Sequence, residues 1–273
     1  MKRKLFYLCI VCLAFCGLMC IGAAAKDTSC VRINGCYARC DAFTADGTTY
    51  VALREFATEA ADCEVLWDEG TRTASIMSRG RVVNASPDQN YLCAGERYMY
   101  DSASPICKDG KLYIPLRLAA WAFGAEAEWN YTDGCADVVG KMGIISGDEE
   151  YYDREDLYWL SRIISAESRG EPLIGQIAVG NVVLNRASSG EYPSDIYSVI
   201  FDKKHGTQFT PTANGTIYDE PSTSSIIAAK ICLEGFELSD DILYFVNKER
   251  SKSTWMDDCC EFVFKIGAHS FYA

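Results

Sequence analysis

A fifteen-residue pattern occurs twice in this chain, and any fold must accommodate both copies. DGTTYVALREFATEA spans residues 46–60 and DGKLYIPLRLAAWAF spans residues 109–123, an offset of 63. In each copy Asp-Gly marks a turn, Tyr-Val/Ile-x-Leu alternates as a short strand, and the following residues take helical spacing before a β-rich return. Each return carries a tryptophan, Trp67 in VLWDEGTRTASI and Trp129 in AEWNYTDGCADVV, which are 62 residues apart, so one residue has been lost between copies. The spacing predicts a small β-β-α-β unit used twice, at about residues 30–78 and 92–141, within a first region of residues 28–141.

The pattern then changes. MGIISGDEEYYD (142–153) mixes glycine with acids and has no sustained period, which places a linker at residues 142–152 and a second domain at residues 153–273. There Asp153 reads as an N-cap, with Glu155 and Asp156 in a first helical turn. Leu157, Leu160, Ile163 and Ile164 form one apolar stripe, and one further turn puts Glu167 on it before Gly170 and Pro172 stop the helix. A carboxyl group pressed against apolar neighbours loses solvation of its charged form and holds its proton towards neutrality, as a general acid must. The competing reading is an ion pair with Arg169 or Arg186.

Next, PLIGQIAVGNVVLNR has almost no polar face and reads as a central helix, ending in Asn185 and Arg186, which either cap it or point into the cleft of Glu167. Ser194 or Asp195 begins a further short helix and Ser222 another, KKHGTQFTPTANG (203–215) reads as a polar loop, and DILYFVN (241–247) and EFVFKIGAHSFY (261–272) read as strands.

Ahead of the repeats, Lys2, Arg3 and Lys4 precede an apolar run from Leu5 to Ile21 that ends in Gly22-Ala23-Ala24-Ala25. This is the pattern of a cleavable secretory leader over residues 1–25, and Phe15 before Cys16 and Met19 before Cys20 are too bulky for a lipid-attachment site. Later runs are too short to cross a membrane, so secretion, without a stable span once the leader is removed, is expected. Losing three basic residues takes the net charge from −12 to −15. That excess argues against nucleic acid, and any grip on an anionic polymer must come from hydrogen bonds and stacking. Ten cysteines follow the leader; disulfides are expected in the first half, with the pairing open. With histidine only at 205 and 269 and no Cys-x-x-Cys after the leader, neither a metal site nor any other cofactor is expected.

The motifs YVALR and YIPLR with their tryptophans resemble the repeat found at the N-terminus of copper amine oxidases and as a stalk on exported enzymes. The resemblance implies a stalk or wall-contact module without copper, because the first half lacks histidine. AESRGEP (166–172), GQIAVGNVVLNR (175–186), TQFT (207–210), LYFVN (243–247) and IGAHSFY (266–272) resemble, in order, the cell wall hydrolase family that includes the spore-cortex-lytic enzymes. Ser168 stands where the family has alanine, Thr207 where cysteine is common and Ala268 where asparagine is usual.

This resemblance implies an α+β chain in which the repeats precede a mostly helical, lysozyme-like domain with a short β element. It implies cleavage of peptidoglycan glycan strands between N-acetylmuramic acid and N-acetylglucosamine, in the cell wall or the spore cortex and envelope, in germination or wall remodelling. Glu167 is then the catalytic acid/base of a lytic transglycosylase. Gln208 and Asn247 are nominated as amide partners of the sugar, Phe209, Tyr244 and Tyr272 as walls for its rings, and His269 as a residue that orients the cleft. No second acid stands out for a paired-carboxylate hydrolysis: Glu171 follows the helix end, and Asp219 and Glu220 lie in a loop. A hydrolytic muramidase, another wall hydrolase and a non-catalytic wall-binding protein remain as alternatives. The absence of His-Glu-x-x-His and Gly-x-Ser-x-Gly weakens a peptide or amide hydrolase. Any regulatory partner is unspecified.

Overall fold

The computed structural model describes residues 29–147, 151–204, 206–251 and 255–273. The expected leader at 1–25 lies outside the described residues, as do residues 148–150 of the expected linker and His205.

The first copy begins with β1 (Cys30–Ile33) and β2 (Cys36–Tyr37), then β3 (Ala42–Ala45), β4 (Thr48–Ala52) and α1 (Leu53–Ala61), followed by β5 (Glu64–Asp68), β6 (Thr73–Ser78) and β7 (Arg81–Ala85). The second runs through β8 (Tyr91–Ala94), β9 (Arg97–Tyr100), β10 (Ile106–Lys108), β11 (Lys111–Pro115), α2 (Leu116–Ala122), β12 (Ala125–Asn130) and β13 (Cys135–Gly140). The two hairpin turns are the same object. Asp46 and Gly47 have φ of 49° and 76°, Asp109 and Gly110 of 52° and 73°, the doubly positive pair that a two-residue hairpin loop matching strand twist requires.

The two copies interleave rather than stand side by side. β4 pairs antiparallel with β11, matching Val51 to Ile114, and β1 pairs parallel with β13, matching Cys30 to Cys135, which a disulfide joins. A five-stranded meander, β5-β6-β7-β8-β9, crosses from one copy to the other. One core serves both: Val51, Phe56, Ile76, Leu92, Ile114, Phe123 and Val138 are completely buried in it, with the Phe56 and Phe123 rings edge to face at 5.8 Å. The other eight described cysteines are free thiols.

The second domain contains α3 (Arg154–Ser168), α4 (Leu173–Ser188), α5 (Ile196–Phe201), α6 (Thr210–Asn214), a 3-10 turn (Thr216–Tyr218) and α7 (Thr223–Leu233). β14 (Tyr244–Asn247), α8 (Trp255–Cys259), β15 (Phe262–Ile266) and β16 (His269–Tyr272) complete it. The chain is thus α+β, a β-rich region followed by a helical domain carrying a three-stranded sheet in the order β14-β16-β15. α4 is the central helix, with Ile177, Ala178, Val179, Val182 and Val183 fully buried between α3, α5 and α7. The segment expected to be a loop at 203–215 contains α6. Pro211 sits in its first turn, where a missing N–H costs nothing.

The domains are joined through the β8–β9 hairpin and α7. Arg97 donates to both carboxylate oxygens of Glu234, at 2.8 and 2.7 Å; Tyr152 donates to the same carboxylate at 2.7 Å. Lys230 pairs with Glu96, and the Tyr100 ring stands on Phe236 at 4.6 Å. No helix among the described residues is long and apolar enough to cross a membrane.

Candidate active site

A cleft of about 1260 Å³ opens where the C-terminal end of α3, the end of α4, the start of α6 and strands β14 and β16 converge. Each element delivers its residue for a local reason. Asp153 starts α3 by accepting from the N–H groups of Glu155 and Asp156. Its buried stripe, Leu160, Ile163 and Ile164, fixes the rotation that brings Glu167 to the cleft one turn later.

Glu167 is half-buried, and loss of solvation pushes its carboxyl up from 4.5 to about 7. Neither suggested ion pair forms. Arg169 donates to the Ser165 carbonyl and Arg186 to that of Leu243, and no described residue hydrogen-bonds the Glu167 carboxyl.

Asn185 and Arg186 divide the two roles suggested for them. Asn185 is structural, donating to the carbonyls of Ser239 and Ile242. Arg186 lines the cleft. Its guanidinium carbon lies 4.9, 5.2 and 5.4 Å from the ring centres of Tyr192, Phe209 and Tyr244, an aromatic cradle for a cation. Nε is held by Leu243 at 2.8 Å, whereas Nη1 is buried with no hydrogen-bond partner. A buried charged donor left unpaired is costly, and the three ring faces around it offset part of that cost.

Of the residues nominated for sugar contact, Gln208, Phe209, Tyr244, Asn247 and His269 all line the cleft with Glu167. Gln208 is half-buried with one long contact, Nε2 to the Gly206 carbonyl at 3.4 Å. Phe209 is 2 % exposed, a core residue that shows the cleft one edge. Tyr244 accepts from the Tyr192 hydroxyl at 3.1 Å, and its ring meets Trp255 at 5.8 Å. Asn247 uses its carbonyl oxygen to cap the turn at Glu249 and Arg250. His269 is buried against Phe245; burial outweighs the nearby Glu171 and lowers its pKa. The 3.6 Å from His269 Nδ1 to Glu171 Oε1 is beyond a hydrogen bond, so the ring stands neutral in the cleft wall.

Tyr272 must be corrected. It is completely buried, donates to Asp257 at 2.9 Å and is absent from the cleft lining. It pairs across the sheet with Tyr244, which the edge strand β14 brings to the cleft, whereas Tyr272 lies on the central strand with its hydroxyl engaged by Asp257 of α8. Sequence reasoning missed Tyr192, Arg250 and Trp255, which also line the cleft. They sit on loops or a short helix without hydrophobic period, and the only available signal was an isolated aromatic residue among polar ones.

The acids are sorted by position. Glu220 is 90 % exposed and pairs with Arg162, and neither it nor Asp219 lines the cleft. Glu171 does, but its Oε2 accepts from the Ala268 N–H at 3.0 Å, tying the end of α3 to the turn between β15 and β16. Among the described residues no group of histidine, cysteine and acids is arranged to hold a metal ion.

The model of the Cell Wall Hydrolase family matches residues 170–272. This region is a cell wall hydrolase domain. The copper amine oxidase N-terminal domain model matches residues 32–134 as one unit, in keeping with the single core of the interleaved copies. A spore cortex-lytic enzyme of Bacillus cereus is 33 % identical over 120 residues, 44 % of this chain and 45 % of the relative. One of Bacillus subtilis is 32 % identical over 120 residues, covering 44 % of this chain and 38 % of the relative. The chain therefore spans less than half the length of these relatives. The solved catalytic domain of the germination-specific lytic transglycosylase SleB from Bacillus anthracis is 31 % identical, with 46 % of this chain and 100 % of that one covered and a TM-score of 0.41. The match to the cell wall hydrolase domain begins at residue 170, after Glu167, so the role of that glutamate is argued from its own surroundings.

Proposed function

We propose that the protein acts outside the cytoplasm and cleaves peptidoglycan glycan strands between N-acetylmuramic acid and N-acetylglucosamine as a lytic transglycosylase, with Glu167 as its acid/base, in spore cortex or cell wall breakdown. The observation that carries the reading is the Glu167 carboxyl, raised to about 7 by desolvation alone at the wall of a large cleft. Protonated, it donates to the glycosidic oxygen as the bond to the anomeric carbon breaks. The resulting carboxylate takes the proton of the muramic 6-hydroxyl as that oxygen closes on the anomeric carbon, giving a 1,6-anhydro ring and returning Glu167 to its acid form. One carboxyl serves both steps. A hydrolase with paired carboxylates needs a second acid about 5–9 Å away, and among the described residues the one other acid lining the cleft, Glu171, is bound to the β15–β16 turn.

The other cleft groups supply binding. Arg186 holds a positive charge against the Tyr192, Phe209 and Tyr244 rings of the wall, Gln208 and the Asn247 amide N–H groups pair with acetamido or hydroxyl groups, and Tyr244 and Trp255 face sugar rings. The cortex-lytic relatives support this substrate class.

The test is digestion of cortex and vegetative sacculi by the purified protein and by Glu167→Gln, with soluble fragments identified by mass spectrometry. Anhydro-muropeptides from the wild type and none from the variant are expected. Reducing ends would replace transglycosylation by hydrolysis, and release of nothing from either substrate would leave a wall-binding protein.

A further inference from the structure

We propose that the groove between the β12-β13-β1-β2 sheet and the β3–β4 turn in the first domain is a second saccharide site, for a neutral N-acetylhexosamine glycan. Its saccharide chemistry rests on the groove alone; its assignment to the wall glycan rests on the cleavage reading above.

The groove has a volume of about 760 Å³ and shares no lining residue with the active-site cleft, a size ordinary for a small-ligand site. One side presents Trp129 and Tyr131, 39 % and 90 % exposed, rings of the kind on which the C–H face of a pyranose stacks. Thr44, Thr48 and Thr49 also line the groove, the Thr44 hydroxyl hydrogen-bonded to those of Ser29 and Thr49, with Arg117, Asp101 and Glu128 completing the polar lining. One cation against two acids makes an anionic ligand unfavourable, whereas uncharged hydroxyl and acetamido groups use donors and acceptors alike. Cys30, joined to Cys135 by a disulfide that ties β1 to β13, also lines the groove.

The repeat provides an internal comparison. Arg54 and Arg117 occupy the same place in the two copies, as do Trp67 and Trp129. In the first copy Arg54 is spent on structure, donating to the Val65 carbonyl at 2.5 Å and clipping α1 to β5; Trp67 is bonded to Glu69. In the second copy Arg117 is exposed, bonds to no described residue and lines the groove together with Trp129. The same arginine has become a clip in one copy and an open donor in the other. A glycan strand held here raises the local concentration of the same strand at the active-site cleft.

The experiment is a titration of the intact 15N-labelled protein with chitotetraose, read at the tryptophan indole N–H signals, each assigned by a Trp→Phe variant. The Trp129 signal is expected to shift saturably and the Trp67 signal to stay. Arg117→Ala should weaken binding read at Trp129 by about tenfold, the scale of one charged hydrogen bond, without changing the response of Trp255 in the active-site cleft. A still Trp129 signal, equal shifts at Trp67 and Trp129, or an Arg117→Ala titration identical to wild type each overturns the proposal. Movement of Trp255 alone overturns it while leaving the cleavage reading intact; movement of Trp129 alone supports it and counts against substrate binding in the cleft.

Discussion

Glu167 keeps its proton because its charged form is poorly solvated, and that one cause sets two pH dependences. Its folded pKa, about 7, lies above the 4.5 of the free group, so the folded state holds a proton the unfolded state has released. Stability therefore falls as pH rises from about 4.5 to about 7 and is flat beyond. Glu167→Gln should match the wild type in denaturant at pH 4 and exceed it at pH 8, by on the order of 2–3 kcal/mol. Activity runs the same way, with kcat/KM on soluble glycan falling above an apparent pKa near 7 as the acid form is lost. Arg186 gives a separate expectation. Arg186→Lys keeps a charge but loses the planar guanidinium, with its Nε bond to Leu243 and its packing on three rings. Steady-state assays should show kcat/KM lowered by about tenfold, mainly through KM, because the side chain shapes the binding wall. Glu167 was legible in the sequence because it continues the stripe of an amphipathic helix. Tyr272 was misread because β16 is the central strand of its sheet, flanked by β14 and β15, whereas its cross-strand neighbour Tyr244 sits on the edge strand that borders the cleft.

Among the elements, the helix starts were the most legible. Asp153, Asp195 and Ser222 each accept from backbone N–H groups in the first turn of their helices, a local interaction that needs no knowledge of the rest of the fold. The β15–β16 turn is the opposite case. Gly267 has φ of 54°, and a Cβ there would collide with the Glu171 carboxylate, the group that accepts from Ala268. Gly267→Ala therefore costs both backbone strain and this hydrogen bond. A loss of about 2–4 kcal/mol is expected in urea denaturation, with activity reduced because the turn leads directly into His269 in the cleft wall. The glycine was visible in IGAHSFY, but its partner lies 96 residues earlier in the chain.

At the scale of the molecule, the most deeply buried of the polar contacts that join the first domain to the second is the Arg97–Glu234 ion pair. Glu234 is 1 % and Arg97 12 % exposed, so removing the arginine leaves a desolvated carboxylate with only Tyr152 beside it. Arg97→Ala should destabilise the protein by about 3 kcal/mol and split a single urea transition into two as the domains uncouple, with Arg97→Lys recovering part of the loss. The sequence by itself determined the two copies, their Asp-Gly turns, the apolar central helix and the half-buried glutamate. These follow from local backbone preference and hydrophobic period, which neighbouring residues settle among themselves. Only the tertiary structure decided that the copies interleave through β4–β11 and β1–β13, that Cys30 meets Cys135, that Arg186 rather than Asn185 faces the cleft, and that Glu171 is held by a distant turn. Such pairings depend on which surfaces fit when residues far apart in the chain are brought together, and no local period encodes that choice.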